Sequence, residues 1–258
     1  MKKLLYFALF SIALTACKKE TSNLETTPTL DVEQRNMGVF GLRTATWCGP
    51  CGGSLDNSHE VFKNAKGLAV AMAFKDAFSE AQSPFGNVLF DKVGDMFDLP
   101  NSVPSSFQNF NIDFPASINE HLELDVTVNG NYDIAFNGNE MTINTTTKFF
   151  KNYSGDVYLA PFIIVDSLVG AQVGHPGSPN TVHMKYVADV AYPSSRTEES
   201  KFEWGYLVSA ADVKAGHVVN LQFKAMKRNH WQNHNISIGM IYFRRVGNEF
   251  RFLNAFTK

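Results

Sequence analysis

The chain of 258 residues has few cysteines and no excess of positive charge, and it lacks several common catalytic motifs. Three cysteines are too few for a small protein held together by disulfides. Lys and Arg number 23 against 25 Asp and Glu, so no basic surplus is available for a phosphate backbone, and nucleic acid is not an expected partner. The sequence contains no G-x-S-x-G, G-x-G-x-x-G or Walker loop, and therefore carries no signal for a serine hydrolase, a dinucleotide enzyme or a P-loop ATPase.

Apolar and aromatic residues are plentiful by contrast. Hydrophobic residues make up 44% of the chain, and 22 residues are Phe. This composition is typical of a globular protein with well-filled cores and excludes collagen, coiled coils and disordered polymers. The length is sufficient for one or two domains.

Residues 1–17 have the pattern of an export signal. Two lysines precede the short apolar run Leu4–Leu14, which is followed by Thr15, Ala16 and Cys17. The run is too short to cross a bilayer as a helix. Leu14 to Cys17 resembles a bacterial lipobox, which implies that Cys17 carries lipid and anchors the protein to a membrane of the bacterial cell envelope. An ordinary cleavable signal peptide is the alternative.

Residues 18–35 are polar and show no apolar period, so we predict a flexible spacer between the lipid and the fold. With Cys17 modified, Cys48 and Cys51 are the remaining thiols. They are expected outside the cytoplasm, where disulfides persist.

Residues 36–119 alternate between strand and helix patterns, which predicts an α/β domain with a βαβ unit. The apolar run Leu68–Phe74 suits a strand buried on both faces. The predicted elements are strands at Gly38–Arg43 and Leu68–Phe74 and helices at Pro50–Lys66 and Phe85–Phe97.

Residues 120–258 change to a period of two, which predicts an antiparallel, immunoglobulin-like β-sandwich domain. Asn129-Gly130 and Asn137-Gly138 are predicted hairpin turns. The loop Asp166–Asn180, rich in Gly and Pro, is the expected binding feature of this half. The predicted strands are Leu122–Val128, Met141–Phe149, Val157–Val165, Val182–Val190, Phe202–Val208, Val218–Met226, Ile236–Arg244 and Phe250–Phe256.

The motif Trp47-Cys48-Gly49-Pro50-Cys51 lies where a predicted strand meets a predicted helix. The N–H groups at the start of a helix stabilise a thiolate, which is the form that attacks disulfides. We therefore expect Cys48 to be an exposed nucleophile and Cys51, one turn later, to be a buried resolving thiol. Pro50 suits the first helical turn, because its missing N–H costs nothing there.

This motif resembles that of thioredoxin-like oxidoreductases, which implies a thioredoxin-like fold for residues 36–119 and no cofactor or metal. The resemblance also implies supporting roles for Trp47, Gly49 and Pro50 and a cis-proline opposite the disulfide, which would be Pro104. Gly52-Gly53 departs from the pattern, since two glycines weaken the helix by about 1 kcal/mol each.

Taken whole, the chain resembles the 28-kDa outer-membrane lipoprotein family. The residues that carry this second resemblance are Val103 to Ser105 and the stretch Tyr158–Val187, including His183. The resemblance implies an outer-membrane location and leaves the mechanism open.

The function expected from these patterns is a lipid-anchored thiol–disulfide oxidoreductase that acts on a protein disulfide or dithiol. The alternative is a binding module of the cell envelope, in which the β-rich half recognises a protein or glycan. For the cysteine pair itself, a structural disulfide and a metal site are the alternatives. His230 and His234 have a spacing found in zinc ligands, but a polar loop fits them better.

Overall fold

The structure is a computed structural model that describes residues 29–73, 89–110, 118–193, 205–231 and 233–258. The predicted signal segment 1–17, with Cys17, lies outside the described residues, as does the first part of the predicted spacer.

The helices are α1 (Gly49–Gly53), α2 (Leu55–Asn64), α3 (Leu89–Phe97) and α4 (Ile118–Leu122), with a 3₁₀ turn at Asn229–Trp231. The strands are β1 (Val39–Thr44), β2 (Leu68–Ala73), β3 (Ser105–Gln108), β4 (Val128–Asn137), β5 (Glu140–Phe149), β6 (Val157–Val165), β7 (Leu168–Gly170), β8 (Thr181–His183), β9 (Tyr186–Val190), β10 (Tyr192–Pro193), β11 (Tyr206–Ser209), β12 (Val218–Met226), β13 (Ile236–Val246) and β14 (Glu249–Phe256).

Most strands belong to one mixed sheet. Its order is β14-β13-β6-β9-β2-β1-β3, and β11 pairs with β6 as the eighth strand. β2 is parallel to β1 and meets β9 in parallel at Ala71 and Tyr186, whereas the other pairs in this sheet are antiparallel. A second, antiparallel sheet has the order β10-β12-β5-β4, and β7 pairs with β8 in a short ribbon.

The predicted fold class, an α/β thioredoxin-like N-terminal domain followed by a separate all-β sandwich domain, is wrong. The protein is mostly β, and strands from both sides of residue 119 share the mixed sheet. In the predicted βαβ unit, β2 has a neighbouring strand on one side only. In the structure β9, a strand from the second half of the chain, pairs with its other side. The β-rich half likewise divides its strands between the mixed sheet and the four-stranded antiparallel sheet.

The two central strands β2 and β6 are buried on both faces. On β6, Leu159 and Ile163 point into the core shared with the four-stranded sheet, whereas Phe162 and Ile164 point into the core that contains α3. The alanines of β2 face the first core, and its larger residues Leu68, Val70 and Met72 face the second. Their continuous apolar sequences follow from this position, because neither face of the strand meets water.

Many predicted strands are confirmed, among them β6 and β12 with the predicted bounds. The strand predicted at Leu122–Val128 is wrong, because α4 ends at Leu122 and β4 begins only at Val128. The turn predicted at Asn129-Gly130 is also wrong, since both residues lie inside β4. A Cβ on Gly130 would come within 2.1 Å of the Tyr242 hydroxyl oxygen, so this glycine serves close packing.

Residues 29–35, within the predicted spacer, lie against the fold. The backbone of Leu30 donates a hydrogen bond to Thr146, and Val32 is buried. Buried Asn254 of β14 anchors the end of this segment. Its side-chain oxygen accepts hydrogen bonds from the backbone N–H groups of Met37 and Ala255, and its amide nitrogen donates to the carbonyls of Arg35 and Val128.

Candidate functional site

The turn between β1 and α1 holds the cysteine pair. Cys48 and Cys51 are joined by a disulfide bond, with their Cα atoms 5.2 Å apart. β1 delivers the chain to this point, and the backbone N–H of Cys48 donates to the carbonyl of Ala45 at 3.2 Å. The structure therefore brings together the two residues that the sequence predicts to react.

Cys48 occupies the N-cap of α1. Its sulfur accepts a hydrogen bond of 3.1 Å from the backbone N–H of Cys51. Pro50 is exposed and lies in the first turn, where no N–H is required. When the pair is reduced, a thiolate at Cys48 would keep this N–H as a partner, which favours the charged form.

The loop before β3 faces the disulfide. The Val103–Pro104 peptide bond is cis, and the sulfur of Cys48 lies 3.6 Å from the carbonyl oxygen of Val103. The expected cis-proline beside the cysteines is therefore present. Pro104 itself is exposed, and Trp47 on the other side of Cys48 is 40% exposed.

The burial of the two cysteines differs from expectation in one respect. Cys51 is 2% exposed, as predicted, but Cys48 is also buried, at 4%. Cys48 packs in a small cluster with Ala45 and Cys51, and Val103 closes this cluster from the side. An attacking group therefore reaches Cys48 only if this packing yields.

Part of the loop Asp166–Asn180, which the sequence predicts to be a binding feature, packs against α1. We call residues 171–175 the clamp segment. The amide nitrogen of Gln172 donates to the carbonyls of Ala45 and Cys48, and the N–H of Val173 donates to the carbonyl of Thr46 at 2.8 Å. Gln172 is fully buried. The clamp segment of this loop therefore contacts the cysteine site, and the binding role of the loop stays a prediction.

The two glycines after Cys51 have different surroundings. A Cβ on Gly52 would come within 2.1 Å of the carbonyl oxygen of Val173, whereas a Cβ on Gly53 would meet nothing within 4 Å. Gly52 thus allows the clamp segment to approach α1, which explains half of the Gly-Gly departure from the expected motif. The Gly52-Gly53 sequence was the one feature of the sequence that pointed to the clamp segment.

Arg43 in β1 is a buried cation a few residues before the motif. Its guanidinium group lies 3.9 Å from the ring centroid of Phe90 and donates to the carbonyls of Phe90 and Pro100. Burial lowers the pKa of Arg43, and the nearby carboxylates of Asp91 and Asp95 oppose that shift. These contacts tie β1 to α3 and to the loop that leads to Pro104.

Histidines lie in and beside the clamp segment. His175 pairs with Asp56 of α2 at 3.3 Å, and His183 of β8 is fully buried. Burial lowers the pKa of His183 to about 4, against opposing hydrogen bonds with the backbone of Gly170 and Ala171, and the charges of His59 and His175 lower it further. His183 is therefore neutral at pH 7.

We expect the protein to lose stability as the pH falls from about 6.5 to about 4. His183 is protonated in the unfolded chain over this range but stays neutral in the fold, so unfolding takes up a proton. The full effect is about 3 kcal/mol. Urea unfolding at pH 7.5 and at about pH 4.5 would measure most of it.

His183→Gln is the control for this prediction, and its free energy of unfolding should fall much less over the same range. The pKa values of His59 and His121 are also lowered by burial, so part of the acid effect will remain in the variant. An equal loss in the variant and the parent would contradict the assignment to His183.

His230 and His234, predicted to belong to a polar loop, lie in turns between β12 and β13. Residues 229–231 form a 3₁₀ turn, and the N–H of His234 donates to the carbonyl of Trp231. Over the part of the chain that the structure describes, no cluster of three or more His, Cys, Asp or Glu side chains is arranged to hold a metal ion. Among the same residues, no helix combines the length and hydropathy needed to span a bilayer.

Comparisons with known proteins give structural similarity alone. No protein-family model matches the chain, and no curated protein matches it. HBP35 of Porphyromonas gingivalis superposes with a TM-score of 0.60 at 13% identity, over 88% of this chain and 76% of that one. A structural-genomics protein from Agrobacterium tumefaciens gives a TM-score of 0.50 at 10% identity, over 87% and 95% of the two chains. At identities of 13% and 10%, the similarity shows a shared fold and nothing more.

Proposed function

We propose that the protein is a thiol–disulfide oxidoreductase with Cys48 as the nucleophile and Cys51 as the resolving thiol. The observation that carries the proposal is the hydrogen bond of 3.1 Å from the Cys51 backbone N–H to the Cys48 sulfur at the start of α1. A fixed N–H donor stabilises a thiolate, and a second thiol within bonding distance can resolve a mixed disulfide. Substrates of this chemistry are protein disulfides or dithiols.

In the reducing direction, the Cys48 thiolate attacks one sulfur of a substrate disulfide. A bond forms between Cys48 and that sulfur, and the other substrate sulfur leaves as a thiolate. The Cys51 thiolate then attacks the Cys48 sulfur, which restores the Cys48–Cys51 bond and releases the second substrate thiolate. Two electrons pass to the substrate, and an external dithiol must supply them for the next cycle.

The test of this proposal is equilibration of the chain in dithiothreitol buffers, with trapping of free thiols and mass analysis. We expect the pair to cycle between disulfide and dithiol with one two-electron potential. The disulfide closes a very small loop and contributes little to folding, so the protein should stay folded when the pair is reduced. A pair that stays oxidised while the protein remains folded would contradict the proposal.

The burial of both cysteines favours a second candidate. If Cys48 and Cys51 form a permanent disulfide, the protein would be a cell-envelope binding module, with its recognition surface in the β-rich part. The exposed fractions of 4% and 2% are the observation in its favour. The same equilibration separates the two candidates, since a binding module predicts no cycling.

We also infer a lipid anchor at Cys17 and a location in the bacterial outer membrane, as the lipobox and the resemblance to the 28-kDa outer-membrane lipoprotein family imply. Two or more acyl chains would hold the protein at a membrane, where one chain is marginal. Labelled palmitate should be incorporated by the full chain in a bacterial host, and Cys17→Ala should abolish the label. Equal labelling of the two chains would contradict this inference.

A further inference from the structure

The side chain of Gln172 hydrogen-bonds the backbone of the cysteine turn both before Cys48 and at Cys48 itself. Its amide nitrogen lies 3.1 Å from the carbonyl oxygen of Cys48 and 3.2 Å from that of Ala45, although Gln172 and Cys48 are 124 residues apart in the chain. The carbonyl oxygen of Val173 is a third acceptor, at 3.3 Å. Carbonyl oxygens only accept, so these partners fix the orientation of the amide. The side-chain oxygen has no hydrogen-bond partner among the described residues.

Two of the carbonyls that Gln172 binds shape the turn. The carbonyl of Ala45 also accepts the N–H of Cys48 at 3.2 Å, and the carbonyl of Cys48 accepts the N–H of Gly52 at 3.2 Å. One buried amide therefore joins the residue before the turn to the first turn of α1. The position of the Cys51 N–H relative to the Cys48 sulfur depends on the same backbone.

We propose that Gln172 is a positioning residue of the cysteine centre, which holds the turn so that the Cys51 N–H stays directed at the sulfur of Cys48. This inference rests on the proposed function, because it concerns the thiolate that Cys48 forms when reduced. The clamp segment has a second contact with α1 at Gly52, where no side chain fits. The two contacts can be disturbed separately.

The test is the pH dependence of alkylation at Cys48 in the reduced full chain, with mass analysis assigning the label. Gln172→Met nearly keeps the volume and removes the hydrogen bonds of the amide, including those to the carbonyls of Ala45 and Cys48, and we expect it to raise the pKa of the Cys48 thiol by roughly one unit. Gln172→Glu sets a carboxylate against two carbonyl oxygens and should raise it further. Wild-type pKa values in both folded variants would overturn the proposal, as would a lower melting temperature without a change in that pKa.

A matched pair of glycine variants tests the proposal independently of residue 172. Gly52→Ala and Gly53→Ala gain the same helix propensity, but only the first pushes against the clamp segment. We expect Gly52→Ala to raise the pKa of Cys48 and Gly53→Ala to leave it unchanged. Equal values in the two variants would overturn the proposal, and this pair decides if the Gln172 variants do not fold.

Failure of the proposed function would be recognised separately. It would appear in the wild-type chain as a disulfide that does not cycle in dithiothreitol. Failure of the Gln172 inference would appear in a chain that cycles normally and whose variants keep the wild-type thiol pKa.

Discussion

Cys48→Ser is expected to abolish disulfide exchange, whereas Cys51→Ser is expected to stop the reaction halfway. Serine offers no nucleophile of comparable strength at neutral pH, so the first attack is lost in Cys48→Ser. The serine oxygen can still accept the N–H of Cys51, so the turn should keep its shape. In Cys51→Ser the first attack proceeds, and a mixed disulfide between Cys48 and the substrate accumulates.

The measurement is reduction of a model protein disulfide, followed by acid quenching and intact-mass analysis of the products. Each variant is the control for the other, because both lack the internal disulfide and differ only in which thiol remains. A mixed disulfide that accumulates on Cys51 in Cys48→Ser would reverse the assigned roles. Activity retained in both variants would refute the proposed function.

Asn254→Leu is expected to cause the largest loss of stability among single changes outside the cysteine site. Asn254 is 1% exposed, and its side chain pairs with four backbone groups from three parts of the chain. Leucine has a similar branched shape but is larger and cannot hydrogen-bond, so it removes the partner of Met37, Arg35 and Val128, whereas the N–H of Ala255 keeps the carbonyl of Met37 at 3.1 Å. The expected loss is about 3 to 5 kcal/mol, because buried donors and acceptors cost more to leave unpaired than a hydrogen bond contributes.

Thermal and urea unfolding would measure this loss, with a fall in melting temperature of roughly 10 °C. Asn152→Leu is the matched control. Asn152 is exposed and accepts a single hydrogen bond, from the N–H of Ala215, so its replacement should cost less than about 1 kcal/mol. Similar losses in the two variants would mean that burial of the Asn254 amide contributes little.

Local elements were predictable wherever a short pattern determines them. β6 and β12 have clear apolar runs or alternation. The hairpin predicted at Asn137-Gly138 is present, but its two turn residues are Gly138 and Asn139, with Gly138 at a positive φ, because Asn137 still pairs with Glu140. The long predicted helix after Cys48 is interrupted at Ser54, which separates α1 from α2. The geometry of the cysteine pair was predictable because it depends on two residues three positions apart.

The arrangement of the sheets was not predictable by the same means, because strand pairing depends on residues far apart in the chain. The sequence did contain one indication. Val157–Val165 is continuously apolar where a strand of a two-sheet sandwich would alternate, and such a strand belongs in the middle of a sheet covered on both faces. The apolar run therefore indicated that β6, like β2, is buried on both faces, but not which strands lie beside it.

The contact of Gln172 with the cysteine turn was hidden for a related reason. A lone glutamine in a Gly- and Pro-rich loop has no local pattern that indicates a buried partner. Its effect on Cys48 arises only when β7 and β8 bring the loop back to the end of β1. The burial of Cys48 likewise depends on Val103, which lies on a different loop.

The mixed sheet also affects the order in which parts of this protein can fold. Arg35 and Asn254 are hydrogen-bonded although they are 219 residues apart, and β2 acquires its second neighbour only when β9 is available. Such non-local contacts make folding slow, since long loops must close before any contact stabilises them. As the chain is made, Cys48 and Cys51 therefore emerge long before Gln172 and the closing strands. Until Gln172 and Val103 pack against the turn, the pair lacks the contacts that bury it and has the chemistry of ordinary exposed thiols.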